Sequence, residues 1–290
     1  MKRASQLALS FELFPPNSDE GFVALKQTVK QLVIFNPDFF SVTCGAGGGN
    51  QDKTFAVVEW LVSNGITVAP HLPCIGLSKQ HIVEILNTYQ KLGIKHLVTI
   101  RGDLPQDNIS HDGAFQNANE LVAFIREQSG NYFQINVAAY PEFHPQAQDA
   151  LVDLECFKRK VDAGSNRAIT QYFFCSAAYY WFVEGCKKKG IEIPIIPGIM
   201  PISDYQKLLR FSSVCQAQIP IWLHKRMQAY SNHPEIILEY GIEVVTQLCQ
   251  ELIHYGVHGL HFYTLNRAEP VATILKKLQK FEAIKEHVGS

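Results

Sequence analysis

The amino-acid sequence predicts one α/β domain, a (β/α)8 TIM barrel that takes up residues 1–290. Three observations predict it: eight short runs rich in β-branched and aromatic residues, segments of helical periodicity between them, and no proline-rich linker or shift in composition. Strands that alternate with helices form parallel sheets covered on both faces, and eight such units close into a barrel. A length of 290 residues fits one large domain or two small ones. The alternation of strands and helices along the whole chain therefore decides for one domain.

The eight strand-like runs are short, and each is bounded by turn-forming or polar residues. Their length of a few residues and their content of Val, Ile, Phe and Tyr favour buried strands over helices. The predicted strands are Leu7–Phe14, Phe39–Cys44, Thr67–Leu72, His96–Arg101, Gln134–Tyr140, Ala168–Phe174, Ile193–Ile199 and Gly259–Leu265.

The segments between these runs carry apolar residues at helical spacing. Ile237, Val244 and Leu248, for example, fall on one face of a helix. The interval between Ile199 and Gly259 is long enough for more than one helix, which predicts an insertion in the last unit of the barrel. The predicted helices include Gly21–Ile34, Thr54–Ser63, Lys79–Lys91, Ala118–Gln128 and Ile237–His254.

An open, doubly wound sheet is the alternative arrangement of alternating strands and helices. Such sheets usually have fewer strands and often carry a Gly-x-Gly-x-x-Gly turn after the first strand. The sequence contains no such turn. The closed barrel is therefore the predicted fold.

Composition excludes several classes of function. Lys and Arg number 26 against 27 Asp and Glu, a balance that argues against a nucleic-acid-binding surface. No apolar run approaches the roughly 18 residues that span a bilayer, and no signal peptide is recognisable at the N-terminus. The seven cysteines are scattered without a Cys-x-x-Cys pair, so neither a disulfide framework nor a metal site is expected. These features predict a cytoplasmic protein that does not associate with membranes.

Charged and amide side chains stand where the predicted strands end. Because the active sites of barrels of this type lie at the carboxyl ends of the strands, these side chains are the first candidates for function. The interior layers of such a barrel favour Val, Ile and Leu, so packing alone does not require charged or amide side chains there. The residues concerned are Glu12, Arg101, Asp103, Gln171 and Arg267.

The same strand ends carry a resemblance to a known family. In chain order, the segments Ser10–Pro16, Arg101–Pro105, Ala138–Glu142, Ala168–Phe174 and His261–Arg267 resemble methylenetetrahydrofolate reductase. The resemblance implies a barrel that holds FAD non-covalently. It also implies reduction of 5,10-methylenetetrahydrofolate to 5-methyltetrahydrofolate by ping-pong hydride transfer from NADH or NADPH through FAD, which feeds methionine synthesis.

Two carboxylates receive catalytic roles from this resemblance. Glu12 is expected to be the general acid that protonates N10 of the folate and opens its five-membered ring. Its neighbours in sequence, Phe11, Leu13 and Phe14, predict an apolar setting, which would help the carboxyl to keep its proton. Asp103 is expected to lie near the flavin and to hydrogen-bond the pterin.

Further residues match the family's ligand-binding positions. Those expected around FAD are Thr43, Cys44, Ala46, His71, Arg101, Gly102, Asp103, Ala118, Tyr140, His144, Ala147, Asp153, Cys156, Arg159 and Lys160. Those expected at the folate or nicotinamide are Thr43, Asp103, Gln171, Lys207, Phe211 and Arg267.

At four positions the sequence departs from the family's usual residue. Cys44 stands where relatives carry Tyr or Trp, Cys156 where Asn is usual, Ser165 where Ala is usual, and Lys207 where Gln is frequent. The resemblance is to the short, bacterial-type enzyme without a regulatory domain, which forms homo-oligomers (dimers or tetramers).

Two other functions remain open from the sequence. A barrel glycosidase would use Glu12 with Asp103 or Glu142 as its two carboxylates. A non-catalytic or partner-dependent barrel would retain the pocket for flavin or folate without turnover.

Overall fold

The computed structural model describes residues 7–44, 51–102 and 113–288 of the chain, with side chains as far as residue 280. Within these ranges nine strand segments form one parallel sheet that curls into a nearly closed barrel, and ten α-helices accompany it. In this described part of the chain, no helix is both long and apolar enough to cross a membrane.

The strand segments follow the predicted runs closely. The segments are β1 (Ala8–Leu13), β2 (Phe39–Val42), β3 (Val68–Pro73), β4 (His96–Ile100), β5 (Gln134–Ala139), β6 (Arg167–Thr170), β7 (Ile195–Ile196), β8 (Gly198–Ile199) and β9 (Gly259–Tyr263). Neighbours in the sheet lie in the order β7-β6-β5-β4-β3-β2-β1-β9-β8. The sixth strand is shorter than predicted, since it ends at Thr170 rather than Phe174.

The seventh predicted strand, Ile193–Ile199, is divided at Pro197, so its prediction as one continuous strand was wrong. Proline has no N–H to donate to a neighbouring strand, and the ladder changes partner at this residue. On one side β7 pairs with β6, and on the other β8 pairs with β9. The Pro197 carbonyl still accepts a hydrogen bond from the His261 amide at 3.0 Å. The barrel closes through this residue, which confirms the predicted fold and rules out the open sheet.

The helices begin and end close to the predicted positions. The bounds are α1 (Asp19–Leu32), α2 (Gln51–Ser63), α3 (Lys79–Lys91), α4 (Ala118–Ser129), α5 (Ala150–Asp162), α6 (Ser176–Lys188), α7 (Tyr205–Cys215), α8 (Ile221–Ala229), α9 (Pro234–Tyr255) and α10 (Val271–Val288). Ser18 and Ser78 cap α1 and α3, since each hydroxyl accepts a hydrogen bond from an amide of the first turn. The predicted insertion holds three helices, α7, α8 and α9.

The core has two layers, because successive side chains of a strand point to opposite faces. The outer layer lies between strands and helices and includes Phe11, whose ring centroid is 5.4 Å from that of Phe40. A small inner cluster, which includes Phe39 and Val98, fills the barrel. The alternation along β1 sends Phe11 outward and therefore Glu12 into the barrel. The fold thus places the carboxylate at the carboxyl end of the inner space.

Candidate active site

A cavity of about 610 Å³ opens at the carboxyl end of the barrel, beside the ends of β4 and β5, the first turn of α4 and one face of α5. This volume lies within the range of sites for small molecules and cofactors. Most of the residues predicted around FAD line it together: Cys44, Arg101, Gly102, Ala118, Tyr140, His144, Ala147, Asp153, Cys156, Arg159 and Lys160.

Three of the described residues that line the cavity carry cationic side chains. Arg101 follows β4 and donates from Nη1 to the Gln146 side chain at 2.7 Å. Arg159 and Lys160 come from α5, where Lys160 donates to the Ala138 carbonyl. Among the described residues, the buried Nε of Arg101 has no hydrogen-bond partner. Because a buried donor without a partner is costly, an anionic or polar ligand at this point would stabilise the site.

Burial disfavours the charged forms of the titratable groups that line this cavity. It lowers the pKa of Lys160 to about 8, although Asp153 and Cys156 act in the opposite direction. It raises the pKa of Asp153, against the effect of the His144 amide, which donates to Oδ2 at 3.1 Å. The pKa of His144 is lowered, first by burial and then by Arg101. A ligand that carries negative charge would favour the protonated form of Lys160.

Glu12 does not line this cavity, and its carboxylate faces two imidazoles. Its Oε2 is 3.4 Å from Nε2 of His71 and 3.9 Å from Nε2 of His261. His261 is anchored by Ser10, with 2.7 Å between Nδ1 and Oγ. His71 also lines a small hollow that shares Cys44 and Pro73 with the large cavity.

The apolar setting expected for Glu12 is therefore wrong. Phe11 and Leu13 point outward to the helices, and Phe14 is 43% exposed. Burial lowers the pKa of His71, whereas the nearby Glu12 carboxylate acts to raise it. A neutral imidazole can donate to a carboxylate or accept from a carboxylic acid, so His71 can serve both protonation states of Glu12.

The residues predicted at the folate or nicotinamide do not line one common cavity, unlike most of those predicted around FAD. Gln171, Lys207 and Phe211 are described by the structure but do not line the large cavity. The Gln171 side chain accepts from the Tyr172 amide at 3.0 Å. Phe211, on α7, lies under the Arg210 guanidinium, 5.2 Å from the ring centroid. Arg267 is exposed and lines a second hollow of about 540 Å³ near the start of α9.

Other predicted residues lie at the edge of the site or beyond the described ranges. The Thr43 carbonyl accepts from the Thr54 hydroxyl at 3.1 Å, which ties the end of β2 to α2. Ala46 and Asp103 lie outside the described residues, so their roles stay predictions. Glu142 accepts from the Gln218 amide at 2.8 Å, and burial raises its pKa. Among the described residues, no group of three or more His, Cys, Asp or Glu side chains is arranged to hold a metal ion.

Comparison with known proteins places the sequence. Residues 1–279 match the family described as methylenetetrahydrofolate reductase. The chain belongs to this family. The expectation of an enzyme of the oxidoreductase class is thereby confirmed.

Individual relatives agree with the family assignment. The 5,10-methylenetetrahydrofolate reductase of Pectobacterium carotovorum subsp. carotovorum is 38% identical over 91% of this chain and 87% of its own length. That of Escherichia coli (strain K12) is also 38% identical, over 91% and 88%. Methylenetetrahydrofolate reductase (NADH) 1 of Arabidopsis thaliana is 37% identical over 94% of this chain and 48% of the plant protein.

A solved structure supports the fold independently. An uncharacterized protein from Clostridium thermocellum, described as binding two copies of 5-methyl-5,6,7,8-tetrahydrofolic acid, superposes with a TM-score of 0.69. The alignment covers 93% of this chain and 94% of that protein, at 15% sequence identity. At this identity the likeness shows a shared fold.

Three departures from the methylenetetrahydrofolate reductase pattern now have a structural setting. Cys44 lines both the large cavity and the small hollow beside His71. The Cys156 sulfur accepts from Nη2 of Arg159 at 2.8 Å and thereby orients one of the cations. The Ser165 hydroxyl donates to the Lys160 carbonyl at 2.9 Å, where α5 ends. Each substituted residue therefore takes part in the local hydrogen bonding or lining of the site.

Several residues of this site were not predicted from the sequence. Gln146 and Gln148 line the cavity, and Gln146 binds Arg101. Their position soon after the fifth strand was the only available sign. His261 lies in one of the segments that resemble the family but has no predicted role. Its alternation with the outward-facing Phe262 along β9 indicates an inward side chain.

Proposed function

We propose that this protein reduces 5,10-methylenetetrahydrofolate to 5-methyltetrahydrofolate, with NADH or NADPH as electron donor and non-covalently bound FAD as carrier. The product would feed methionine synthesis. The observation that carries the proposal is a cavity lined by Arg101, Arg159 and Lys160. It adjoins the small hollow of His71, whose imidazole contacts Glu12. The fold is compatible with a folate, since the C. thermocellum barrel is described as binding a methylated one.

The residues of the cavity fit FAD. Arg101, Arg159 and Lys160 would hold the pyrophosphate, because guanidinium and ammonium groups pair well with phosphate oxygens. The unpartnered Nε of Arg101 offers a donor to such an anion. Tyr140 and His144 lie edge to face with ring centroids 4.7 Å apart and would enclose part of the cofactor. FAD, when bound, would supply the hydride transfer between nicotinamide nucleotide and folate.

Glu12 would supply the proton of the folate reaction. The methylene carbon of the substrate is a poor hydride acceptor while it is bonded to both N5 and N10. Transfer of a proton from the Glu12 carboxyl to N10 breaks the bond between N10 and that carbon and leaves an N5-iminium, which accepts hydride readily. Glu12 becomes a carboxylate, which the imidazoles of His71 and His261 face.

The remaining predicted residues would bind the two substrates in turn. Asp103 would hydrogen-bond the pterin, and Gln171 would contact the folate and, alternately, the nicotinamide. Thr43, Lys207 and Phe211 are proposed to contact the same ligands. Arg267 lines a separate hollow, so it would reach only the glutamate end of the folate. Alternate binding of the nicotinamide and the folate against the flavin would give the ping-pong order.

The proposal is tested by anaerobic reduction and reoxidation of the purified protein reconstituted with FAD. NADH and NADPH are added separately, and 5,10-methylenetetrahydrofolate follows. We expect one or both nucleotides to bleach the flavin and the folate to restore its colour, with formation of 5-methyltetrahydrofolate. A protein that fails to bind FAD would contradict the proposal. Bound flavin that neither nucleotide bleaches would favour a partner-dependent or non-catalytic barrel.

A further inference from the structure

The main chain that carries Glu12 is held by a loop from the opposite end of the sequence. The pairing of β1 with β9 ends at Glu12 and Tyr263, so no further ladder bonds fix the chain on that side. The next hydrogen bonds come from side chains. The Thr264 hydroxyl donates to the Glu12 carbonyl at 2.6 Å, and Thr264 is only 3% exposed.

Asn266, two residues after Thr264, adds two hydrogen bonds to the main chain at Phe14. Its Oδ1 accepts from the Phe14 amide at 3.0 Å, and its Nδ2 donates to the Phe14 carbonyl at 2.8 Å. The side-chain amide thus satisfies both backbone groups of one residue, as a neighbouring strand would. On the other side of β1, the Thr43 amide donates to the Leu13 carbonyl at 2.9 Å. The chain from Glu12 to Phe14 is therefore held from both sides.

The loop that supplies these side chains is itself fixed. The Thr264 hydroxyl accepts from the Asn266 amide at 3.1 Å, and the Asn266 carbonyl accepts from the Thr28 hydroxyl of α1 at 2.9 Å. Leu265 and Asn266 have φ angles of 50° and 55°, in the left-handed region. For a leucine this conformation costs free energy, and strained residues of this kind persist where the surroundings require them.

We infer that Thr264 and Asn266 are positioning residues for Glu12, which they hold in register with the folate through its main chain. This inference rests on the proposed function, because it assumes that Glu12 delivers a proton to a bound substrate. With its main chain fixed from Glu12 to Phe14, the carboxyl retains only side-chain freedom. A displacement of about 1 Å at a reacting group can lower a rate by about 100-fold. Hydrogen bonds that fix the main chain of Glu12 therefore affect the rate of folate reduction.

The test compares Thr264→Val, which removes the hydroxyl at nearly constant volume, with Thr264→Ser, which keeps it. Thr246→Val is the matched control, because the Thr246 hydroxyl is also buried and donates to a carbonyl at 2.6 Å, within α9. The two half-reactions are measured separately on the FAD-loaded enzyme. We expect Thr264→Val to slow folate-dependent reoxidation at least about tenfold and to leave reduction by nucleotide within about twofold. Thr264→Ser and Thr246→Val should leave both rates close to those of the wild type.

A second measurement does not depend on the cofactor. Amide hydrogen exchange of Phe14 in the unloaded protein should accelerate in Asn266→Ala and Thr264→Val but not in Thr246→Val. Asn266→Ala also serves as the second variant should Thr264→Val fail to fold. If folate-dependent reoxidation were unchanged in a folded Thr264→Val or Asn266→Ala enzyme, Thr264 and Asn266 would not be positioning residues for Glu12. An equal loss of both half-reactions would overturn the inference as well. A wild-type enzyme without folate-dependent reoxidation would instead overturn the proposed function.

Discussion

The Glu12 carboxylate faces the His71 imidazole, with 3.4 Å between Oε2 and Nε2, although the two residues are 59 positions apart in sequence. His71 is buried and its pKa is lowered, first of all by that burial. An imidazole that is neutral near neutral pH can accept a hydrogen bond from a carboxylic acid and can also donate one to a carboxylate. This pairing suits a carboxyl group that must give up and regain one proton in each turnover.

Replacement of Glu12 by Gln should separate the two half-reactions. The amide keeps the size of the side chain but cannot deliver a proton to N10. We expect Glu12→Gln to retain FAD and its reduction by nucleotide, and to lose about 10²–10⁴-fold in the rate of folate reduction. Stopped-flow absorbance of each half-reaction checks this. Glu127→Gln, on the exposed face of α4, is the control, and normal folate turnover by Glu12→Gln would exclude the role of general acid.

The lowered pKa of His71 predicts a loss of stability on acidification. Between its folded pKa and the ordinary value of 6.5, His71 binds fewer protons in the folded state than in the unfolded state. Its neutral form therefore contributes stability that is complete above 6.5 and is lost as the pH falls below that value. His96 and His144, whose pKa values are also lowered by burial, contribute with the same sign.

The contribution of His71 is isolated by substitution. Thermal unfolding of His71→Gln, measured between about pH 7.5 and 5.5, should show a smaller decrease of Tm than the wild type. Other titrating groups are present in both proteins and cancel in the comparison. His254→Gln, at an exposed position of α9, should keep the wild-type slope. Equal slopes for wild type and His71→Gln would contradict the burial argument.

The fold was predictable because its information is local. Seven of the eight predicted strands are single segments near their predicted positions, since period and composition are read along the chain. The division at Pro197 required knowledge of which strand lies on each side. The surroundings of Glu12 were mispredicted for the same reason. Sequence neighbours such as Phe11 face the other side of the strand, whereas His71 and His261 arrive from distant strands of the closed barrel.

The unusual pKa of Lys160 predicts that cofactor affinity depends on pH. Burial lowers this pKa to about 8, so the ammonium loses its proton as the pH rises through that value. Arg101 and Arg159 keep their charge, because guanidinium groups do not titrate in this range. We expect the Kd for FAD to increase above pH 8, by at most about tenfold per pH unit, as the loss of one proton allows.

Lys160→Arg distinguishes this cause from others. The substitution keeps a cation at all accessible pH values, so it should flatten the increase of Kd between about pH 7.5 and 9. Lys158→Arg, which alters an exposed pair with Asp162 on the same helix, should leave the pH dependence intact. Fluorescence quenching of FAD on titration with protein measures the Kd. A steep increase that persists in Lys160→Arg would show that another group titrates.

Closure of the barrel through Pro197 depends on the residue that follows it. A Cβ at Gly198 would overlap the Thr170 carbonyl oxygen and would lie 2.6 Å from Cε2 of the Tyr263 ring. Both neighbours are fixed, since the Tyr263 hydroxyl donates to that same carbonyl at 2.7 Å. Gly198→Ala should therefore lower the free energy of unfolding by about 1–3 kcal/mol or more, as overpacking of a rigid core does.

Gly185→Ala is the matched control for this effect. It adds the same methyl group within α6, where the Cβ meets only a Leu154 methyl group at 3.6 Å, an ordinary contact. Because alanine favours the helix over glycine by roughly 0.5–1 kcal/mol, we expect Gly185→Ala to be neutral or slightly stabilising. Urea unfolding of both variants measures the difference. If Gly198→Ala were as stable as the wild type, the strands around Pro197 could move apart without loss of free energy. The hydrogen bonds of Thr170 and His261 to this segment argue against such movement.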